Sequence, residues 1–221
     1  MLRNYNKTYQ GEIDFSTDRK AVLSIQAFLE RHLSDFPEFL KKESDSSFNE
    51  DRITSLLEIY FQRQARVSDE IFMFQFQYPE KNSRRTTDMS VIYASPFAST
   101  ESIFAIEAKR LPTPGSGRQK EYVQGNLGAM ERFKRGQHGK HLQHSAVLGY
   151  VEKEDFSYWH KEICSWINDL IASNGDPSIS WDKNDLLQFI KSVDNVNLYS
   201  SVNARKGVTD IHLSHYWFNV N

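Results

Sequence analysis

Three short apolar segments follow one another in the middle of the chain, and they restrict the folds open to it. In residues 71–78 every second residue is aromatic, and this alternation of period two is typical of a strand with one buried face. Residues 89–94 and 103–109 are two further apolar runs of strand length, and turn-forming residues separate the three segments. The sequence therefore predicts three consecutive strands that form an antiparallel meander.

Helical patterns lie on both sides of this meander. Apolar residues recur at helical spacing in residues 17–36, 53–61 and 156–171. The pattern predicts two further helices, one over residues 122–134 and a short one over 186–193. These segments provide the apolar faces that could cover a sheet.

Further strands extend the predicted sheet. The apolar run 145–151 fits a buried strand, and the helix predicted before it allows a parallel crossover from residues 103–109. Residues 197–203 and 209–220 predict two last strands. The predicted fold class is therefore α/β (α+β), with a central mixed β-sheet flanked by helices.

Composition supports a folded chain and excludes several classes. The 221 residues are 39% hydrophobic and 13% aromatic, which is ordinary for globular proteins. We expect residues 1–46 to form an N-terminal helical extension packed on the core, and residues 47–221 to form one globular unit. Cys164 is the single cysteine, so an internal disulfide and a Cys-rich zinc site are excluded. No apolar run reaches the ~20 residues of a membrane helix, and no signal-peptide pattern opens the chain, so we expect a cytoplasmic protein without a membrane partner.

The charges are unevenly distributed, although the formal net charge is only -2. Between residues 109 and 141, eight basic residues stand against two acidic ones, and we call this stretch the basic segment. Such a segment predicts a footprint for the phosphates of nucleic acid, with a steep salt dependence of binding. A solvated helix face is the alternative interpretation. The predicted nucleic-acid contacts are Arg110, Lys120, Arg132, Lys134 and Arg135.

Three charged residues at the ends of two predicted strands form the candidate site. Glu107 and Lys109 are two positions apart, so they project from one face at the end of an apolar strand. Asp88 opens the preceding strand, and a compatible register would bring it beside Glu107. Two close carboxylates repel each other, whereas a divalent cation between them keeps both ionised, and Mg²⁺ prefers oxygen ligands. We expect these three side chains to meet around one hydrated cation.

The order of these parts resembles the PD-(D/E)xK, or restriction-endonuclease-like, nuclease superfamily. The matching pieces are Glu50 at the start of a helix, Thr87-Asp88, Glu107-Ala108-Lys109, the helix from Tyr122 and the strand over 146–151. The resemblance implies a restriction-endonuclease-like core in which Asp88 and Glu107 bind Mg²⁺, or Mn²⁺, with help from the Ala108 carbonyl. Lys109 would then assist the attacking water and Glu50 would be an auxiliary acid. Thr87 stands where the motif has proline.

The function implied by this resemblance is a metal-dependent nuclease acting on DNA, with bacterial restriction or phage defence as its setting and a homodimer or a partner subunit as a possible assembly. One alternative is a noncatalytic module of the same fold that binds nucleic acid or a partner. Another is a zinc hydrolase that uses His138, His141 and His144, which are spaced three apart.

Glu50 and several other polar residues can also be explained by a structural role alone. Glu50 fits a helix-capping box that begins at Ser47. His215 shares a strand face with apolar residues, which favours a hydrogen-bonded core histidine. Arg84 and Arg85 fit either a phosphate contact or a solvated turn.

Overall fold

A computed structural model describes residues 15–43, 48–79, 86–173, 176 and 178–221, and its side chains from residue 19 onward. The described helices are α1 (Phe15–His32), α2 (Phe36–Lys42), α3 (Glu50–Val67), α4 (Ala129–Lys134) and α5 (Phe156–Ser173), with a 3-10 turn at Lys183–Asp185. The strands are β1 (Phe72–Pro79), β2 (Thr86–Tyr93), β3 (Phe104–Leu111), β4 (His144–Val151), β5 (Gln188–Val193), β6 (Val196–Asn203) and β7 (Ile211–Asn219). The alternating segments of the sequence thus become strands close to their predicted bounds.

The seven described strands form one mixed sheet in the order β1-β2-β3-β4-β7-β6-β5. The predicted meander β1-β2-β3 is antiparallel, and β3, β4 and β7 are parallel neighbours in the centre. Strands β5, β6 and β7 complete the sheet as a second antiparallel meander. The predicted class, a mixed sheet flanked by helices, is confirmed.

Helices cover both faces of the sheet. The N-terminal helices α1, α2 and α3 pack their apolar residues against one face, where Phe74, Ile106 and Leu148 lie. Helices α4 and α5 and residues 122–123 cover the opposite face. Successive strand residues alternate between these faces, so Glu107 and Lys109 fall on the side of α4 and α5. Among the described helices, none has the length and apolar character needed to cross a membrane.

The predicted helix over residues 122–134 is wrong in its first half, because only Ala129–Lys134 is helical. Gly125 has a left-handed backbone (φ +104), and a Cβ on Gly128 would lie 2.4 Å from the Gln124 carbonyl carbon. The two glycines therefore shape a turn that leads into a short helix. The turn-rich segment before α4 forms one wall of the cavities described below.

The predicted helix over residues 186–193 is also wrong, because this segment forms the edge strand β5. Val193 pairs with Val196, which leaves a two-residue hairpin loop in which Asp194 has φ +48. Residues that tolerate positive φ are the signal of such a hairpin. The helical pattern predicted over residues 17–36 does not continue into α2, in which Pro37 lies in the first turn.

Candidate functional site

Asp88 and Glu107 meet where strands β2 and β3 separate. Backbone pairing between these strands ends at Met89 and Ile106. Beyond that point, Asp88 Oδ2 accepts a hydrogen bond from the Ala108 N–H at 2.8 Å, and Glu107 Oε1 accepts one from the Asp88 N–H at 3.4 Å. Hydrogen bonds to the two carboxylates thus take the place of the next backbone pair between β2 and β3. The predicted juxtaposition of Asp88 and Glu107 is confirmed.

Lys109 and Glu50 complete this group, which we call the carboxylate cluster (Glu50, Asp88, Glu107 and Lys109). Lys109 Nζ lies 2.6 Å from Glu50 Oε1, and Glu50 Oε2 accepts the Arg110 N–H at 3.1 Å. Glu50 is the first residue of α3, where the helix dipole favours a negative charge. The cluster therefore joins the end of β3 to the start of α3.

The cap of α3 differs from the capping box predicted for Glu50. Ser47, the start of that box, lies outside the described residues, as do Arg84 and Arg85. Asn49 caps the helix, and its side chain accepts the Arg52 N–H at 2.8 Å. The Glu50 carboxylate is directed to Lys109 instead.

His138 is a member of the site that the sequence did not identify. Its Nδ1 lies 2.5 Å from Glu107 Oε1, so the ring donates to that carboxylate. Arg132, from α4, places Nη1 3.3 Å from Glu107 Oε2. The sequence analysis names His138 only as a candidate zinc ligand, and the glycines around it give no sign of a carboxylate partner. Both oxygens of Glu107 are thus held by cationic or ring donors.

The other two histidines of the spaced triplet have different partners. His141 Nε2 lies 2.7 Å from the Ser102 carbonyl, and the His144 ring stacks on His212. Throughout the described ranges, no group of three or more His, Cys, Asp or Glu residues is arranged to hold a metal ion. The three predicted zinc ligands therefore do not converge.

Burial and neighbouring charges shift the pKa values of Asp88 and Glu107, two of the three acids of the cluster, in opposite directions. Burial, and then the Glu107 charge, raises the pKa of Asp88 to about 8, although Lys109 and the Ala108 N–H oppose this. Burial also disfavours ionised Glu107, but His138, Lys109 and Arg132 more than offset it and lower the pKa of that carboxyl. The site thus contains one carboxylate that ionises readily and one that is disfavoured as an anion.

Lys109 is buried but remains a cation. Burial lowers the pKa of its ammonium, whereas Asp88, Glu50 and Glu107 raise it by more, so the pKa lies above its ordinary value. The ammonium is therefore charged at neutral pH and serves as a hydrogen-bond donor rather than as a base.

A polar cavity of about 700 Å³ opens beside the cluster. Its lining includes Glu50, Asp88, Lys109, Arg132 and His138. Glu107 is fully buried and lies outside this lining, in contact with Arg132 and His138. Three members of the carboxylate cluster can therefore contact a bound group directly, whereas Glu107 is covered.

The donor set suits a hard cation such as Mg²⁺. Asp88 and Glu107 supply only oxygen atoms, and a cation beside Asp88 would offset the burial and the Glu107 charge that raise the pKa of this residue. Mg²⁺ usually binds one or two carboxylates together with substrate phosphate and water, so it needs no larger protein cage. Asp88, which lines the cavity, could hold such an ion directly, and Glu107 could join it only by giving up its contact with Arg132 or His138.

The basic segment is largely neutralised by ion pairs, several of them with acids outside the segment. The guanidinium of Arg110 forms a two-point pair with Glu152, and Lys120 pairs with Asp169. Arg135 pairs with Glu131 and Asp176. The local excess of positive charge in the sequence is therefore not a free positive surface.

Lys134 is a wrong prediction as a nucleic-acid contact. Its side chain and that of Asp185 are both fully buried, with Nζ 2.5 Å from Asp185 Oδ1. The ammonium also lies over the ring of Trp181. A lysine enclosed in this way has no access to a phosphate at the surface.

His215 is the hydrogen-bonded core histidine that the sequence predicted. Its Nδ1 and Nε2 each lie 2.9 Å from a hydroxyl, that of Tyr122 and that of Ser201. Trp217 donates to the Tyr122 hydroxyl as well. This hydroxyl network lies in the closed core, fixes the segment before α4 on the sheet, and is separate from the carboxylate cluster.

No protein-family model matches this chain, and neither a curated protein nor a solved structure matches it.

Proposed function

We propose that this protein is a divalent-cation-dependent nuclease with a restriction-endonuclease-like core. The observation that supports this most strongly is the meeting of Asp88 and Glu107 at the point where β2 and β3 separate, with Lys109 beside them at a polar cavity. Acidic residues from adjacent strands, an ammonium and an open cavity are the parts that phosphodiester hydrolysis requires.

Mg²⁺, with Mn²⁺ as a substitute, is the proposed cofactor, and Asp88 and Glu107 would hold it with the Ala108 carbonyl. When bound, such an ion polarises the scissile phosphate and lowers the pKa of a water molecule. Arg132 and His138 hold both Glu107 oxygens, so binding through Glu107 exchanges one of these contacts.

Lys109 and Glu50 act from the protein side. The Glu50 carboxylate fixes the Lys109 ammonium at 2.6 Å and compensates its charge. From this position the ammonium donates a hydrogen bond to the attacking water or to the negative charge that develops on the phosphate. Glu50 thus positions Lys109.

DNA is the proposed substrate, and restriction or phage defence the proposed setting, because these follow from the superfamily resemblance. Because Arg110, Lys120 and Arg135 are paired with acids, DNA binding would rely on contacts other than a free basic surface.

One observation favours a second candidate, a noncatalytic module of the same fold that binds nucleic acid or a partner. Glu107 is fully buried, and His138 and Arg132 hold its two oxygens. A carboxylate satisfied in this way can be a structural anchor rather than a ligand.

A cleavage assay distinguishes the two candidates. Plasmid DNA and single-stranded DNA are incubated with the purified protein in Mg²⁺, Mn²⁺ or EDTA, and the products are separated on gels. We expect cleavage with the cations only, and its loss in Glu107→Gln and Lys109→Ala. Lys140→Ala, an exposed position in the same basic segment, is the matched control and retains activity. Binding without cleavage under all conditions supports the noncatalytic module.

A further inference from the structure

A second and larger cavity, which we call the aromatic groove, adjoins the candidate site. It encloses about 1160 Å³ between α5 and the turn-rich segment before α4. The groove and the polar cavity share six lining residues, among them residues 125–127. The two cavities are therefore adjacent, and one chain molecule could contact both.

The groove concentrates aromatic side chains. Three of the four tryptophans of the chain, Trp159, Trp166 and Trp181, line it together with Tyr158. Tyr158 is 44% exposed, and Leu127 on the opposite wall is 42% exposed. Exposed apolar surface on both walls of one cleft is typical of a binding site.

Polar groups in the groove are suited to base edges rather than to phosphates. The amides of Gln119, Gln124 and Asn126 line the wall opposite α5, and each carries both donors and acceptors. The cations of the lining are paired, Arg118 with Glu121 at 2.7 Å and Lys120 with Asp169 at 3.3 Å. A ligand that is recognised mainly through its phosphates would find few free partners here.

We propose that the aromatic groove binds unpaired nucleobases of the strand whose phosphate lies in the polar cavity. This proposal rests on the nuclease function for the choice of ligand. Bases inside a duplex are stacked on one another, whereas unpaired bases can stack on aromatic side chains and use their edges for hydrogen bonds. The occupant is therefore single-stranded nucleic acid.

Base stacking is tested with two oligonucleotides of the same charge. A 12-nucleotide oligothymidylate and an abasic 12-mer with the same phosphates are titrated in EDTA, and binding is followed by quenching of tryptophan fluorescence. We expect the oligothymidylate to bind about tenfold or more tightly than the abasic strand, since stacking contributes at this scale for each base. Equal binding of the two strands, or tighter binding of the matching duplex, overturns the proposal.

Variants locate the binding in the groove. Tyr158→Ala is expected to weaken oligothymidylate binding by about tenfold, whereas Phe97→Ala, which removes an aromatic ring that is 96% exposed outside both cavities, leaves it unchanged. Circular dichroism checks that both variants are folded. An unchanged affinity in folded Tyr158→Ala overturns the proposal. Oligouridylate, titrated in parallel, shows whether RNA or DNA is the preferred source of the bases.

The binding assay and the cleavage assay test the groove and the nuclease function separately. Binding in EDTA requires no hydrolysis, so base-dependent binding without any cleavage in Mg²⁺ supports the groove and overturns the nuclease function. Cleavage of single and double strands at equal rates, unaffected by Tyr158→Ala, supports the nuclease function and overturns the groove.

Discussion

Two buried lysines of the basic segment, Lys109 and Lys134, have opposite surroundings. Each places Nζ close to a carboxylate, at 2.6 Å from Glu50 and at 2.5 Å from Asp185. The Lys109 side chain lines a cavity and its partner is 22% exposed, whereas both members of the Lys134 pair are fully enclosed. Similar ion pairs can therefore border an open cavity in one place and lie wholly inside the fold in another.

The difference depends on access rather than on charge. A charge that faces a cavity can exchange its partner for water, a metal ion or a substrate, whereas an enclosed charge is committed to the one partner that it has. The enclosed groups should thus contribute to stability, and the cavity-facing groups should carry function at some cost in stability.

Removal of the enclosed ammonium has the largest expected effect. Lys134→Ala leaves Asp185 buried without its partner and should lower the free energy of unfolding by about 3 to 5 kcal/mol. Urea denaturation measures this loss. The double variant Lys134→Met with Asp185→Leu should regain most of it, because no unpaired charge remains. A loss below about 1 kcal/mol in the single variant would show that the pair is not closed to water.

The hydroxyl network around His215 predicts a pH dependence of stability. Burial lowers the pKa of this histidine from 6.5 to about 3, so the folded protein keeps the ring neutral. As the pH falls from 6.5 toward 3, the unfolded chain takes up a proton that the folded chain does not, and stability is lost in this window.

Between pH 7 and pH 5 this loss amounts to about 2 kcal/mol for a single group. We expect the wild type to lose that much more than His215→Gln when urea unfolding is compared at the two pH values. Parallel losses in both proteins would contradict the assignment of a neutral, enclosed histidine.

Removal of the Asp88 charge from the carboxylate cluster should raise the free energy of unfolding, whereas removal of the Lys134 charge should lower it. Burial and Glu107 raise the pKa of Asp88 to about 8, so its ionisation opposes folding as the pH rises from about 4 toward 8. In EDTA at pH 8, the free energy of unfolding of Asp88→Asn should therefore exceed that of the wild type by about 1 kcal/mol or more, and cleavage in Mg²⁺ should be lost. A destabilised Asp88→Asn protein would place Asp88 with the enclosed structural charges.

Removal of the exposed pair of Lys120 and Asp169 has the smallest expected effect on the free energy of unfolding. Their side chains are 43% and 66% exposed, and such pairs contribute little because water and salt screen them. Lys120→Ala should change the free energy of unfolding by less than about 0.5 kcal/mol in urea denaturation at low salt. A larger effect would mean that exposure alone does not separate the two kinds of lysine pair.

The sequence predicted those parts of the molecule that depend on local periodicity. The strands β1 to β4, β6 and β7 and the long helices α3 and α5 follow from alternation and from helical spacing. Asp88, Glu107 and Lys109 were found because charged residues at the ends of apolar strands need partners.

Other features depend on contacts between distant segments. His138 is 31 positions from Glu107, and Asp185 is 51 positions from Lys134, so no local pattern identifies either pair. The same applies to the basic segment, because the acids that neutralise Arg110 and Lys120 come from β4 and α5 or from the residues next to them. Glycine geometry at positions 125 and 128 then overrode the helical pattern before α4.

The central parallel pair of strands has a consequence for the way in which the chain assembles. Strands β1 to β3 and β5 to β7 each join neighbours in sequence, whereas β4 pairs with β7 across the whole intervening segment, as in His144 with His212. Pairings between residues that are distant in sequence slow folding because a long loop must close first. The two meanders can thus form early and separately, and the β4 to β7 junction should set the folding rate.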